Sequence, residues 1–281
     1  MRELLEYAVQ GALLGVTYGL VALPIGLIYS SFRVIDAGVG SYAALAGIVA
    51  LSVGGIAGIA AGLAIGAALA TLVALIYQLL VRREMAEPVI VVTATFAVGM
   101  AVDSLILWRY GTDPFVKQTF DSAWSIADVS INPQSIVNLL IGLVLVALTA
   151  GGLFHTSTGR QVRASADNVL GALLAGIPVV RIQYMMFAFE GLLAAVAGVL
   201  LVYTTGLDFT SGLHLTLIAF GAAILFGLRG PLQCFLGGLA IGVVEALVAG
   251  YGSGGLVSAL PFVFVLVILV ASPRIAEAGR P

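Results

Sequence analysis

Residues 55–81 read GIAGIAAGLAIGAALATLVALIYQLLV, a run without one charged side chain. A helix that crosses a bilayer needs about 20 predominantly apolar residues, so this stretch is long enough to cross. Working outward between polar or Gly/Pro punctuation gives eight further runs, at about 4–29, 35–53, 88–108, 135–154, 183–203, 213–228, 232–250 and 256–272. Only Gly54 and Gly55 separate the second run from the third, so either or both can be short or broken. The predicted fold class is all-α, a polytopic transmembrane helical bundle of about eight or nine spans with a broken second helix as one option.

Composition carries the same imprint. Of 281 residues, 61% are hydrophobic and 9% charged, with 12 Lys plus Arg against 14 Asp plus Glu for a net charge of -2. A soluble domain carries about 25% charged residues and buries only about three quarters of its surface at this length. A soluble enzyme, a nucleic-acid binder and a disordered chain are therefore excluded; the lipid bilayer is an expected partner and nucleic acid is not. The single cysteine, Cys234, allows no intrachain disulfide. The acidic start, Met1 to Glu6, lacks the basic n-region and cleavage site of a secretory signal, so it is expected to be retained. No linker divides the chain, which predicts one transmembrane domain over 1–281.

Orientation follows from basic residues in the loops. With 155–182 on the cytoplasmic side, so are Arg33, Arg82, Arg83, Arg160, Arg163, Arg181, Arg229, Arg274 and Arg280, against Arg2, Arg109 and Lys117 opposite. Nine against three places the N-terminus outside, the C-terminus inside, and favours an odd number of spans. The external segment 109–134 is either a connector with interfacial aromatics or a gate or docking surface.

Gly11, Gly15 and Gly19 recur every four residues, as do Gly58, Gly62 and Gly66, and Gly238 with Gly242. Such stripes let helix backbones approach, and internal bundle packing is the simpler reading than a homodimer seam. Pro24 removes an amide donor in the first span, marking either a plain kink or a bend facing the pathway. Asp36, Asp103, Glu190 and Glu245 fall in or at the ends of spans. A central charge is costly in lipid, and ionisable residues kept there face a cavity or a partner. Asp36 and Asp103 can reach an interface, whereas Glu190 and Glu245 lie deeper, as interhelix contacts or as part of solute passage. His155 and His214 have no metal-ligand spacing, and Lys117 is not part of a GxxxxGK[ST] phosphate loop. No cofactor is expected in this chain, and any ATP hydrolysis belongs to a partner.

The loop His155–Ile182 is the most informative segment. Thr156, Ser157 and Thr158 offer capping hydroxyls, and Gly176 followed by Pro178 makes a stop. Between them Val162, Ala166, Val169, Leu170, Leu173 and Leu174 recur at helical spacing, with Arg160, Arg163, Asp167 and Asn168 on the remaining surface. This predicts a short amphipathic helix over about 160–176. It can lie in the membrane interface or insert into a groove on a cytoplasmic protein.

The stretch Gly159-Arg160-Gln161-Val162-Arg163-Ala164-Ser165-Ala166-Asp167-Asn168, followed by Ala172 to Ile177 and Arg181, resembles the cytoplasmic loop of the branched-chain amino acid ABC transporter permeases. Gly237 to Leu247 resembles that family's GG-rich span, and Gly11 to Gly26 with Thr17 and Tyr18 its first span. The resemblance covers roughly 7–272 and is most specific in the loop. It implies a type II-like ABC importer permease of a bacterial inner membrane, with a periplasmic N-terminus and a cytoplasmic C-terminus. Its cargo would be branched-chain amino acids or related small amphipathic solutes. The implied partners are a second permease chain, two cytoplasmic ATPase subunits that bind ATP and Mg, and a periplasmic substrate-binding protein. Gly159, Arg160, Arg163, Asp167, Asn168, Leu170, Leu173 and Gly176 would then couple to the ATPase. Asp36, Gly38, Gly40 and Tyr42 would form a re-entrant or broken segment on the pathway, with Glu245 as a further candidate.

The sequence departs from the family pattern in two places. The family's Asn-Phe-Ala-His-Gly is here Asp36-Ala37-Gly38-Val39-Gly40, with Ser41 where an acidic residue often follows. The turn before the eighth span reads Phe226-Gly227-Leu228-Arg229-Gly230-Pro231. A solute other than leucine, isoleucine or valine thus stays open. The competing class is a self-contained secondary transporter, for which Glu190 and Glu245 are the available carboxylates. An intramembrane enzyme lacks any paired catalytic constellation in the spans.

Overall fold

The computed structural model describes residues 2–117, 124–126, 129–226, 228, 230–251 and 263. Its helices are α1 (Arg2–Phe32), α2 (Val39–Val53), α3 (Gly55–Arg82), α4 (Pro88–Tyr110), α5 (Pro133–His155), α6 (Ser157–Asp167), α7 (Val169–Leu174), α8 (Val179–Val202), α9 (Ser211–Leu225) and α10 (Pro231–Tyr251). The connector 109–134 adds a small antiparallel hairpin, β1 (Trp124–Ile126) with β2 (Val129–Ile131), which departs from a purely helical chain. Helix starts carry sequence signals. Proline opens α4, α5 and α10, where a missing amide donor costs nothing, and Asn132 caps α5 by accepting from the Gln134 amide at 2.9 Å.

Six helices, α1, α3, α4, α5, α8 and α10, are long and apolar enough to cross a bilayer. The chain is therefore a polytopic helical bundle, with six full-length spans among the described residues. Two of the nine expected spans are shorter than anticipated: α2 and α9 have 15 residues each, about 22 Å of helix against a hydrocarbon core of about 30 Å. The second span begins at Val39 rather than near 35, because the chain leaves α1 through Arg33 in a left-handed conformation (φ 57°) and stays irregular to Gly38. The ninth run, 256–272, lies outside the described residues except for position 263. α1 continues through Pro24 to Phe32 without a break in helix.

The centre of the bundle is α2. Every residue from Val39 to Ala50 is buried, as expected of a helix apolar on all sides. It packs on α3, α8, α9 and α4, while α1 packs most extensively on α10. The glycine stripes set these contacts. A Cβ on Gly15 would strike Leu239, and one on Gly242 would strike the Gly15 backbone. Gly58 and Gly62 face the Ala50 and Ala46 carbonyls, and Gly66 faces that of Gly191. All these stripes are spent inside the protomer, in agreement with internal packing rather than a homodimer seam. Gln78 of α3 and Gln183 of α8, both buried, hydrogen-bond to each other across the helices.

Overpacking a filled seam costs about 1–3 kcal/mol and occasionally more. Gly242→Leu is expected to lower the yield of monodisperse protein in detergent size-exclusion chromatography several-fold. Gly151→Leu, at a helical glycine with open space around it, should leave the yield unchanged.

Candidate functional site

The irregular segment 33–38 enters the protein interior. Asp36 is fully buried, and Val34, Ala37 and Gly38 are buried with it. Amides that start a helix have no intrahelical partner, and away from water each must find one. Here side chains from three places supply acceptors. Thr95 of α4 accepts from the Ala37 amide at 2.9 Å, Asp36 from the Gly38 amide at 2.7 Å, and Thr216 of α9 from the Gly40 amide at 3.1 Å. The Tyr42 hydroxyl also donates to Asp36, at 3.2 Å. Glycine is required twice, since a Cβ on Gly38 would meet the Tyr42 hydroxyl oxygen and one on Gly40 would meet the Gly212 carbonyl. Asp36, Gly38, Gly40 and Tyr42 therefore form one cluster at the junction of α2, α4 and α9.

Glu190 of α8 lies within electrostatic reach of Asp36 and Tyr42. Neither Glu190 oxygen nor Asp36 Oδ2 has a hydrogen-bond partner among the described residues. Glu245 stands apart. It belongs to α10, which packs chiefly on α1 and α9, and it accepts from the Tyr18 hydroxyl of α1 at 3.1 Å. The two carboxylates that a secondary transporter would use thus belong to different helices, α8 and α10, and have different neighbours. Beside the central cluster, a cavity of about 330 Å³ opens between α2, α4 and α9, with Ser41, Asp103, Ser104 and Thr216 among its lining residues.

Thr95 and Thr216 carry roles that the motif reading passed over. The available signal was a lone polar residue within an apolar span, because such a residue keeps its place by bonding to another element. A further residue, Asp208, organises the loop before α9. One carboxylate oxygen accepts from the Thr210 and Ser211 amides at 2.9 Å each and from their hydroxyls at 2.8 and 2.7 Å. Partial burial pushes its pKa up, but these donors outweigh burial and hold it below the usual carboxylate value. The same loop is joined to the outer connector, where Phe115 and Leu207 exchange backbone hydrogen bonds of 2.8 and 2.9 Å.

At the other end of the bundle, the loop expected to hold one amphipathic helix holds two. Asn168 interrupts it and caps α7, its side chain accepting from the Gly171 amide at 2.8 Å, as Thr156 caps α6 by accepting from the Gly159 amide at 3.0 Å. An Asn side chain competes well for such amides, which divides the helix there. Gly159 is buried against the Leu153 and Gly152 carbonyls, Val162 is 1% exposed, and the Arg163 guanidinium donates to the Leu153 carbonyl over the Phe154 ring. These contacts bind α6 to the end of α5. Arg160, Asp167 and Asn168 remain exposed. So do Leu170 and Leu174, at 68% and 82%, with Val169 and Leu173 at 51% each. Gly176 ends the unit with φ +76°. The structure thus divides the predicted stripe, its first part buried in the bundle and its second part turned outward.

A family model described as branched-chain amino acid transport system / permease component matches residues 7–271. The chain is 28% identical to the high-affinity branched-chain amino acid transport system permease protein LivH of Salmonella typhimurium, over 99% of this chain and 96% of that one. The LivH protein of Escherichia coli K12 is also 28% identical, with the same coverage. Among solved structures, PsaBC from Streptococcus pneumoniae in complex with Fab is similar at a TM-score of 0.47 and 15% identity, over 94% of this chain and 91% of that chain.

Leaving a buried amide without its acceptor costs about 1–3 kcal/mol. Thr216→Val is expected to lower the thermal midpoint of the detergent-solubilised protein, whereas Thr93→Val, at an exposed hydroxyl that bonds only within its own helix, should not. At Asp208 the sign is fixed by the lowered pKa. Its contribution to stability is complete above the ordinary carboxylate pKa and is lost as pH falls through the depressed folded value. Proteolysis of the 203–210 loop should therefore increase on acidification in the wild type, while Asp208→Asn should be cleaved faster at neutral pH with a flatter acid response.

Proposed function

Because this chain belongs to the permease component family of branched-chain amino acid transport systems, we propose that the α2–α4–α9 junction lines its solute pathway and that α7 receives cytoplasmic ATPase subunits. The chain is a membrane permease subunit of an ABC-type import system and has no catalytic role of its own. It works as one permease domain of a type II-like importer in a bacterial inner membrane, N-terminus periplasmic and C-terminus cytoplasmic. Its partners are a second permease chain, two ATPase subunits that hold ATP and Mg, and a periplasmic substrate-binding protein. Branched-chain amino acids are the cargo by likeness to the LivH proteins.

The observation that carries the ATPase assignment is α7. A six-residue helix is too short to be stable by itself in water, yet this one presents Val169, Leu170, Leu173 and Leu174 outward. Its base is fixed, because α6 is pinned to α5 through Gly159, Val162 and Arg163. A rigidly mounted apolar tip flanked by Arg160 and Asp167 suits a protein groove better than a lipid surface, which needs no fixed mount. ATP binding in the partners can shift the bundle between inward- and outward-open states only through different affinity for the two; Asp36, Gly38, Gly40 and Tyr42 occupy the helix junction such a shift would rearrange. Glu245, tied to Tyr18, serves packing between α1 and α10.

Co-purification with the ATPase subunits encoded beside this chain tests the assignment. The wild type should retain them, and Leu170→Asp with Leu173→Asp should reduce retention by roughly tenfold or more, as expected for loss of central apolar anchors. Equal retention by the double variant would show that α7 is not the docking element.

A further inference from the structure

We propose that the cleft between α5 and α8 binds anionic phospholipid, one molecule from each leaflet, with the headgroups held at Lys117 and Arg181. The inference goes beyond the importer reading and does not depend on what the chain transports.

The cleft follows from the packing. Both helices pack on α1, but α5 otherwise meets α6 and α10, while α8 packs chiefly on α2 and α3. Two cavities lie between them, one of about 430 Å³ towards α6 and one of about 480 Å³ towards Lys117. A single stripe of α8 lines both, since Met185, Leu192, Val196, Val199 and Tyr203 follow one another at helical spacing. Opposite them stand Val137, Ile141, Leu148 and Gly152 of α5. From Met185 to Tyr203 the helix rise amounts to about 27 Å, close to a hydrocarbon core of about 30 Å. The cleft therefore runs through both leaflets.

Its walls suit acyl chains better than another helix. Helices associate in lipid through stripes of small residues, and the glycine stripes of this chain are spent on other seams. Here the walls are long side chains, such as Leu148, Met185, Phe189 and Leu192 in one cavity and Ile59 and Ile141 in the other. Methionine in particular adapts its shape to a flexible neighbour. At Gly152 a Cβ would meet nothing within 4 Å, so no backbone presses close there.

Charge marks both ends. The Lys117 amide donates to the Val202 carbonyl at 3.4 Å, which fixes this residue at the far end of α8, where it lines the cavity with Gln134 and Tyr203. Arg181 lies one helical turn before Met185, on the same face of α8. Both cations are exposed, and neither has an ion pair or side-chain hydrogen bond among the described residues. A phosphodiester headgroup supplies the missing negative charge at each end, while its acyl chains fill the apolar space between. A lipid whose headgroup also carries an ammonium offers less net attraction.

The test is titration of the delipidated full-length chain with phosphatidylglycerol in detergent, read by native mass spectrometry. Wild type should bind two molecules per chain ahead of weaker background binding, and phosphatidylethanolamine about tenfold more weakly. Lys117→Gln and Arg181→Gln should each raise the dissociation constant of one of the two molecules by about tenfold, as for loss of a charged hydrogen bond. Arg109→Gln, an exposed cation of α4, should change neither, because α4 lines neither cavity. Gly152→Leu places a side chain in the cavity at the Arg181 end and should remove one lipid. Gly151→Leu, equally free of close neighbours but not lining that cavity, should keep both. Equal binding of the two lipids, or a phosphatidylglycerol count that ignores Lys117, Arg181 and Gly152, overturns the site. Met185→Cys tests a protein occupant, since the native Cys234 is buried. The variant should stay monomeric on a non-reducing gel after oxidation in the membrane. A disulfide-linked dimer would assign the cleft to a second copy of the chain and overturn the lipid site.

Discussion

Backbone amides that start a helix away from water must find acceptors, and the rest of this bundle is arranged around one place where that demand is concentrated. α2 begins inside the protein rather than at its edge, so its first amides cannot turn to solvent. Thr95, Asp36 and Thr216 answer them from α4, the chain itself and α9. Three elements are thereby locked in register at one junction. The junction must also be narrow, which is why Gly38, Gly40, Gly99 and Gly212 meet there. A Cβ on Gly40 would strike Thr216 Oγ1, the acceptor of its own amide.

The long helices serve as the frame for that junction. Without a hydrophobic drive between helices in lipid, they hold together by close contact of backbones and by a few polar bonds. Gly11, Gly15 and Gly19 let α1 lie directly on α10, and Gly58, Gly62 and Gly66 let α3 wrap α2 and α8. Polar bonds join the same helix pairs: Tyr18 to Glu245 between α1 and α10, Gln78 to Gln183 between α3 and α8. Glu190 and Asp36 are both fully buried with oxygens unpaired among the described residues, and Asp36 lies where α2 begins.

The frame was legible in the sequence and the junction only in part. Uncharged runs such as 55–81 declare a span by composition alone, and four-residue glycine spacing declares which face is packed. The weak boundary between the second and third runs was visible at Gly54 and Gly55, yet the start of α2 moved to Val39. That shift depends on Thr95 and Thr216, which are more than fifty residues and more than 170 residues away from the amides they serve. No local pattern encodes such a pairing. The 155–182 loop shows the opposite limit. Its period was right, but periodicity counts apolar positions without saying what covers them. Val162 faces the bundle and Leu170 faces outward on what reads as one stripe. The capping side chain of Asn168, a local feature, is what separates them.

That separation bears on how force can travel through the molecule. A continuous helix over 160–176 would tilt as one lever, and its apolar stripe would slide along the bundle. With a break at Asn168, α7 is set off from α6, which is fixed to α5 by Arg163 and Gly159. Movement imposed on α7 then reaches the bundle through two routes, α6 to α5 and α1, and the short connection at Ile177 and Pro178 to α8. α8 carries Glu190 and packs on α2, so it leads to the same buried junction. A shift of α8 acts on that junction and on a glycine seam together, since Gly191, packed against the Gly66 carbonyl, directly follows Glu190. Bistability belongs at such a point, where unpaired oxygens leave the arrangement least over-determined and a small displacement can exchange one set of partners for another.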